Sequence, residues 1–472
     1  MPLTNEVAPP SAIATLHPTQ SGSAATDGST AALAARVAAM RYEHLTEQAR
    51  TVARHCVLDW FGVALAARQE PLVAILLDQL REDGGNSQAT VIGVGDRFSL
   101  EQAALINGAM SHAIEYDDVV MPMRGHPSVT ILPAVLALAE YRQLDGRRVM
   151  EAFVAGFELA CRLGRIVNLS HYSDGWHATA TIGTFAAAAA AANLLRLDAT
   201  RTAHALGIAG TQAAGLKSAF GTMCKPLHAG RAAATGLKSA LLAERGFTGN
   251  PAIIECDQGF ADTQSTSPKF DDALIEPPGG FYIVQTLFKY HASCYLTHSA
   301  IEAARRIQST VAIDVNDIAE VIVRVDRGHL RICNIAEPRN GMEVKFSLRA
   351  MAALALLGSD TSSDKLFDDA LATRADLSAL WRRVSIEEYV VPSHTLSEVE
   401  VRRKDGRHFV EACDVGIPNT DLAGQGARLA AKFDALTRPY LGSDSTLLRD
   451  RIENIDRLTD IRELLQGSQK RA

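Results

Sequence analysis

Four short stretches carry the side chains able to move protons or grip anions. The first runs His112-Ala113-Ile114-Glu115-Tyr116-Asp117-Asp118 and continues through Gly125-His126-Pro127-Ser128 into an apolar run, Val129 to Ala139. Three carboxylates within four residues are costly to bury without cationic partners, so this stretch is either a solvated loop or part of a charged site. His126, at the mouth of the helix that follows, is placed to meet an anion. The second stretch, Asp174-Gly175-Trp176-His177-Ala178-Thr179, again sets a histidine ahead of an Ala-rich helix, where a purely structural histidine is the plainer reading. The third, Lys225-Pro226-Leu227-His228-Ala229-Gly230-Arg231, offers a lysine, a histidine and an arginine that can hold carboxylates, or else an ordinary basic loop. The fourth is Lys289-Tyr290-His291-Ala292-Ser293-Cys294-Tyr295-Leu296-Thr297-His298. Its Cys294 and His298, four apart, fit a thiol–imidazole pair on one helical face, and equally a buried cysteine beside a histidine that opens a helix.

Other catalytic signatures are missing. Gly93-Val94-Gly95 lacks the third glycine and the helix pattern of a dinucleotide fold, and there is no P-loop, HExxH or Gly-x-Ser-x-Gly. The seven cysteines (56, 161, 224, 256, 294, 333 and 413) are odd in number and never spaced CxxC, which predicts reduced thiols in a cytoplasmic protein rather than a disulfide framework, zinc site or iron–sulfur centre. A formal net charge of -7 and an aromatic content of 6% argue against a nucleic-acid partner, while leaving room for a local basic cluster. The longest Ala-rich run, Gly183 to Leu195, is too short and weakly apolar for a membrane span. The first 30 residues lack both the charged and the apolar regions of a secretory signal, and read as a disordered tail.

The elements that must position these stretches follow from periodicity. With 472 residues, 47% of them hydrophobic, the chain can bury a sizeable core in two or three folding units. Residues 31–274 are rich in Ala and Leu, poor in Pro, and apolar at three- and four-residue spacing, which predicts an all-helical part. Helices are expected over Ala31 to Met40, Thr46 to Ala67 (with Thr46 as N-cap), Gly183 to Leu195 and Gly230 to Glu244, and at most a short strand at Thr90 to Gly93. Glu276-Pro277-Pro278-Gly279-Gly280 is a breaker cluster. After it, helical pieces (Phe281 to Leu287, Leu296 to Ile307) mix with β-like alternation at Ile318 to Val325 and Val384 to Val391. Glu398 to Arg403 and Arg407 to Cys413 flank the hairpin signal Lys404-Asp405-Gly406. Asp421 to Leu465 returns to helical periodicity. The expected fold is mainly α with an α+β lid. Residues 31–274 and 415–472, from both chain ends, form a large helical domain around a smaller α+β insertion over 275–414.

In series, these stretches resemble the MmgE/PrpD family. The likeness rests on Asn107-Gly108-Ala109 running into His112 to Asp118, His126-Pro127-Ser128, Gly175-Trp176-His177, Lys225 to Gly230 and the Cys294 to His298 stretch. Phe346-Ser347-Leu348 and Asp456-Arg457-Leu458-Thr459-Asp460 add to it. It spans the chain from about residue 32. The resemblance implies a helical body with an α+β lid, a homodimer, and action on small di- or tricarboxylates beside a carboxylate, with neither metal nor organic cofactor. Members include 2-methylcitrate dehydratase, cis-aconitate decarboxylase and iminodisuccinate epimerase, so elimination of water or carbon dioxide is the expected reaction, with two-base epimerisation of a dicarboxylate such as iminodisuccinate, or a catalytically silent binding protein on the same fold, as the alternatives. Carried over by position, the catalytic candidates are His126, His177, Lys225, Asp117 and Cys294. Glu115, Asp118, His228 and His298 are the candidate substrate-binding groups. His126 and His177 are the natural acid/base pair, Lys225 with His228 would hold carboxylate charge, and Asp117 or Asp118 would orient an imidazole. Cys294 would exchange a proton from another side. The animal decarboxylases carry a histidine where Cys294 falls, so their proton-donor assignment does not transfer, and the methylcitrate dehydratases read differently around both the acidic and the Cys294 stretches.

Overall fold

A computed structural model describes residues 28–311, 313–390 and 393–469. The tail expected over the first 30 residues falls almost wholly outside these, as does Val391 of the expected strand Val384 to Val391.

Among the described residues, the first half of the chain folds into nine α-helices: α1 (Ser29–Ala39), α2 (Glu47–Ala66), α3 (Pro71–Asp83), α4 (Leu100–Ser111), α5 (Ser128–Arg142), α6 (Gly146–Ser173), α7 (Ala178–Leu194), α8 (Ala199–Gly210) and α9 (Cys224–Glu244). Thr46 caps α2 by accepting from the Ala49 amide at 3.2 Å. Among the described residues of this half, only Ala89–Thr90 (β1) and Arg97–Phe98 (β2) pair as strands. Every residue of α7 is buried, as a helix apolar on all sides must be, and α5, α6, α8 and α9 pack around it. Small residues set how close these helices come. A Cβ added to Gly230 of α9 would lie 2.1 Å from the Leu105 carbonyl oxygen of α4, so the two backbones touch there. Gly230→Ala is therefore expected to lower the unfolding free energy by about 2 kcal/mol or more, through overpacking against backbone that cannot yield. Urea unfolding of the variant checks this, and an unchanged midpoint contradicts it.

The second half mixes short helices, α10 (Phe260–Gln264), α11 (His298–Val311), α12 (Gly341–Lys345), α13 (Leu348–Leu356) and α14 (Ala375–Trp381), with four strands. These are β3 (Ile318–Val325), β4 (Val384–Glu388), β5 (Leu396–Arg403) and β6 (His408–Asp414), in the order β4-β3-β5-β6. β3 runs parallel to β4 and antiparallel to β5, with Val323 facing both Ile386 and Val399. β5 and β6 form the Asp-Gly hairpin, where Gly406 takes the positive φ of 85° that the turn requires. α11 lies on β5 and β6, and α13 on β3 and β4. The segment expected to be helical over Phe281 to Leu287 forms only a 3₁₀ turn, Tyr282–Gln285, because Leu287 is drawn off to pair with Val119. The chain then closes with α15 (Leu422–Leu441), α16 (Asp444–Glu453) and α17 (Arg462–Gly467). α15 packs along α2, so the last part of the sequence rests on the first. The molecule is mainly helical with a smaller α+β part. Among the described residues no single helix is long and apolar enough to cross a membrane.

Candidate active site

The acidic stretch after α4 is no solvated loop. Glu115, Asp117 and Asp118 are 5%, 1% and 2% exposed. Burial of three carboxylates demands donors, and the structure supplies them from distant segments. Glu115 has a φ of 60°, a left-handed value that turns the chain sharply and exposes three successive carbonyls. Each is taken by a buried lysine: Ile114 O by Lys345 at 3.3 Å, Glu115 O by Lys289 at 2.9 Å and Tyr116 O by Lys432 at 2.8 Å. The Glu115 carboxylate forms a close ion pair with Lys225 and lies 3.7 Å from Lys289. Burial alone would push its pKa up, but the two ammonium groups bring it down to about 2.

Asp117 sits between two imidazoles, 2.9 Å from His112 Nδ1 and 2.8 Å from His126 Nδ1. Burial works against its charge, yet these two partners hold its carboxyl well below the usual range. His126 Nδ1 is also 2.8 Å from the Asp118 carbonyl, which can only accept, so this nitrogen carries the hydrogen and Nε2 is left with its lone pair. Burial lowers the His126 pKa to about 4, leaving the ring neutral. His112, Asp117 and His126 offer donor atoms within 4.8 Å of one another, a spacing that suits a metal ion. In this arrangement His126 Nδ1 is instead committed as a hydrogen-bond donor, so the trio works as a carboxylate that fixes two imidazole tautomers.

His177 is the N-cap residue of α7, and its backbone amide donates to Gly215 O at 3.0 Å. Its Nδ1 lies 3.1 Å from His228 Nδ1, so one ring donates and the other accepts. Burial, reinforced by the charges of His112 and Lys225, keeps the His177 pKa well below normal. The stretch around Lys225 is not a loop but the opening of α9, with Pro226 in the first turn where its missing N–H costs nothing. Cys294 precedes a 3₁₀ turn, Tyr295–Thr297, and α11 begins only at His298. The two residues therefore do not share a helical face. The Cys294 thiol meets Cys333, whose hydrogen bond, together with the Lys289 charge, lowers its pKa against the effect of burial. His298 packs against His291 and Tyr295 instead, with ring centroids 5.0 Å and 5.1 Å away.

His126, His177, Lys225, Cys294 and Glu115 line one cavity of about 500 Å³. Asp117 and Asp118 stand behind this wall, His228 backs His177, and His298 does not reach it. Asp118, expected to touch substrate, accepts a short hydrogen bond from Ser128, and burial pushes its pKa up to about 7. A carboxyl raised this way stabilises the fold fully below its unfolded pKa of 3.8, and the contribution is lost as pH rises to about 7. Between pH 5 and 8 the wild type should thus lose roughly 2 kcal/mol more stability than Asp118→Asn. Urea titrations at the two pH values measure this, and parallel losses would contradict it.

The sequence reading missed most of the basic lining. Arg124, Lys217, Lys289, Arg327 and Arg331 join Lys225 on the cavity wall, six cations against the single carboxylate of Glu115. Phe220, Tyr172, Tyr295 and Phe346 supply apolar surface between them.

A helical body and an α+β part thus meet at a cationic, histidine-bearing cavity, the kind of site an enzyme acting on small anions needs. The chain belongs to the MmgE/PrpD family: residues 15–273 match its N-terminal domain and residues 291–457 its C-terminal domain. It is similar to the cis-aconitate decarboxylase of Homo sapiens, 25% identical over 461 residues covering 93% of this chain and 94% of that protein. The cis-aconitate decarboxylase of Aspergillus terreus is 28% identical over 449 residues, covering 88% and 90%. The Mus musculus enzyme of the same name is 24% identical over 92% and 91%.

Proposed function

We propose that this protein removes carbon dioxide from a small unsaturated tricarboxylate of the cis-aconitate kind, with the residues around the 500 Å³ cavity as its machinery. The observation that carries the reading is the excess of six Lys and Arg side chains over one carboxylate on the wall of a protein whose net charge is -7. Such a concentration of fixed positive charge favours a polyanion. In the reaction the bond to the departing carboxylate breaks, and its electron pair spreads onto the neighbouring conjugated carboxylate. Lys225, with Lys289 beside it, is placed to stabilise that charge. One proton must then be delivered to carbon. Cys294 is assigned that role because its thiol lies on the wall and is made more acidic by Cys333 and Lys289. The thiolate left on Cys294 regains its proton from solvent by way of His126 or His177, the acid/base pair on the helical body's side of the same wall. The same reading includes a homodimer, a cytoplasmic location and independence of metal and organic cofactors, so that chelator treatment leaves activity intact.

The test is mass spectrometry of purified protein incubated with cis-aconitate, with citrate-like hydroxy acids and with chiral dicarboxylates in deuterated water. Loss of carbon dioxide from cis-aconitate is expected, whereas turnover of none of these acids rejects the proposal. Two proton-exchanging groups from different parts of the chain, His126 and Cys294, line one cavity, which also suits two-base epimerisation. Inversion with deuterium uptake and no loss of mass would move the assignment there.

A further inference from the structure

The cavity's outer wall holds basic side chains that no carboxylate among the described residues pairs with. Arg124 comes from the loop ahead of α5 with a φ of 55°, left-handed backbone that side-chain-bearing residues rarely adopt. Its guanidinium is half-buried, and burial pushes its pKa down. Among the described residues no carboxylate or carbonyl accepts a hydrogen bond from it, although it faces the cavity. A guanidinium partly stripped of water is unfavourable unless a ligand provides the counter-charge. From the α+β part, Arg327 and Arg331 of the turn Arg327–Arg331 also line the cavity, and among the described residues neither has an acidic partner. Lys217 of the body donates to Tyr172 O at 2.9 Å and feels the charge of Arg331. Like charges therefore face each other across the entrance, an arrangement that an anion between them relieves.

We propose that Arg124 is a specificity-determining residue that receives, through its planar fork, the substrate carboxylate farthest from the reacting carbon. The assignment rests on the reading of the cavity as a polycarboxylate site, and it adds the number of carboxylates as the property selected. Lys225 and Lys289 hold the inner end of the ligand. Arg124 reads whether a further carboxylate is present, so tricarboxylates are favoured over dicarboxylates of similar length. A charge-assisted bidentate pair of this kind discriminates by about 30-fold.

Calorimetric binding of two unreactive probes, propane-1,2,3-tricarboxylate and glutarate, to the full-length protein tests the assignment. Wild type is expected to prefer the tricarboxylate by about 30-fold, and Arg124→Met to bring the preference under about threefold with glutarate affinity unchanged. A variant that keeps the preference, one that loses both ligands equally, or a wild type with no preference overturns the proposal. Should Arg124→Met fail to fold, Arg124→Lys keeps the charge without the fork, and it must show an intermediate preference. An unreduced preference in that variant is again fatal. A wild type that shows the preference yet leaves cis-aconitate untouched rejects the decarboxylase reading and leaves Arg124 in its assigned role.

Discussion

Replacing Lys225 with methionine is expected to lower kcat/KM by about a thousandfold. The ammonium lies against Glu115 on the cavity wall, with both residues 5% exposed. Methionine keeps the length and apolar contacts of the stem but removes the charge that would face the electron-rich carbons of the substrate. Loss of a preorganised stabilising group of that kind costs about 4 kcal/mol in the transition state. The same change also leaves Glu115 with Lys289, 3.7 Å away, as its remaining lysine partner among the described residues, so its pKa rises from about 2 and the fold loses stability. Lys225→Met/Glu115→Gln separates the two effects. Neutralising the stranded acid should restore most of the stability lost, as read from urea midpoints, while leaving kcat/KM as low as in the single variant. Recovery of activity in the double variant would mean that Lys225 serves only to hold Glu115.

How far the sequence revealed this site depended on whether a residue carried a local signal. His126, His177, Lys225 and Cys294 stood out because each sits beside a helix start or a Pro or Gly, in a short stretch crowded with polar chemistry. Those same local features were readable for Thr46 as a cap and for Lys404-Asp405-Gly406 as a hairpin turn. Lys432 had no such mark. It lies within the helical pattern of α15, where a lone lysine looks like a solvated position, and its burial is decided by contacts with residues 59, 116 and 289. Lys345, Arg124 and Arg331 were invisible for the same reason, since the groups around them, Ile114 O for Lys345 and the rest of the cavity wall for the two arginines, come from other segments. The pairing of Cys294 with His298 failed on a finer point. Four-residue spacing places side chains together only inside a helix, and here the chain enters α11 through a 3₁₀ turn that starts after Cys294. The acidic stretch left two readings open because sequence shows the cost of burying Glu115, Asp117 and Asp118 but not the distant lysines and imidazoles that meet it.

Lys432→Met should cost about 3–5 kcal/mol of stability and, separately, most of the turnover. Its ammonium donates to Asp59 at 2.6 Å, Tyr116 O at 2.8 Å and Lys289 O at 2.9 Å. It thereby ties α15, near the chain's end, to α2 and to both backbone segments that carry Glu115 and Lys289. Without it Asp59 is a buried charge with no partner, and two buried carbonyls lose their donor. Adding Asp59→Asn removes the stranded charge and should return part of the stability. The carbonyls at 116 and 289 still lack the Lys432 ammonium in the double variant, so Lys289 and the Glu115 turn can shift, and a displacement of about 1 Å at a positioned group is enough to cut turnover by about a hundredfold. The expected result is a protein whose melting temperature recovers while kcat does not, with KM for the tricarboxylate changing much less than kcat. Full recovery of kcat along with stability would reduce Lys432 to a structural ion pair. The outcome therefore decides whether the three lysines on the carbonyls of 114–116 hold the reacting groups in place or merely compensate for their burial.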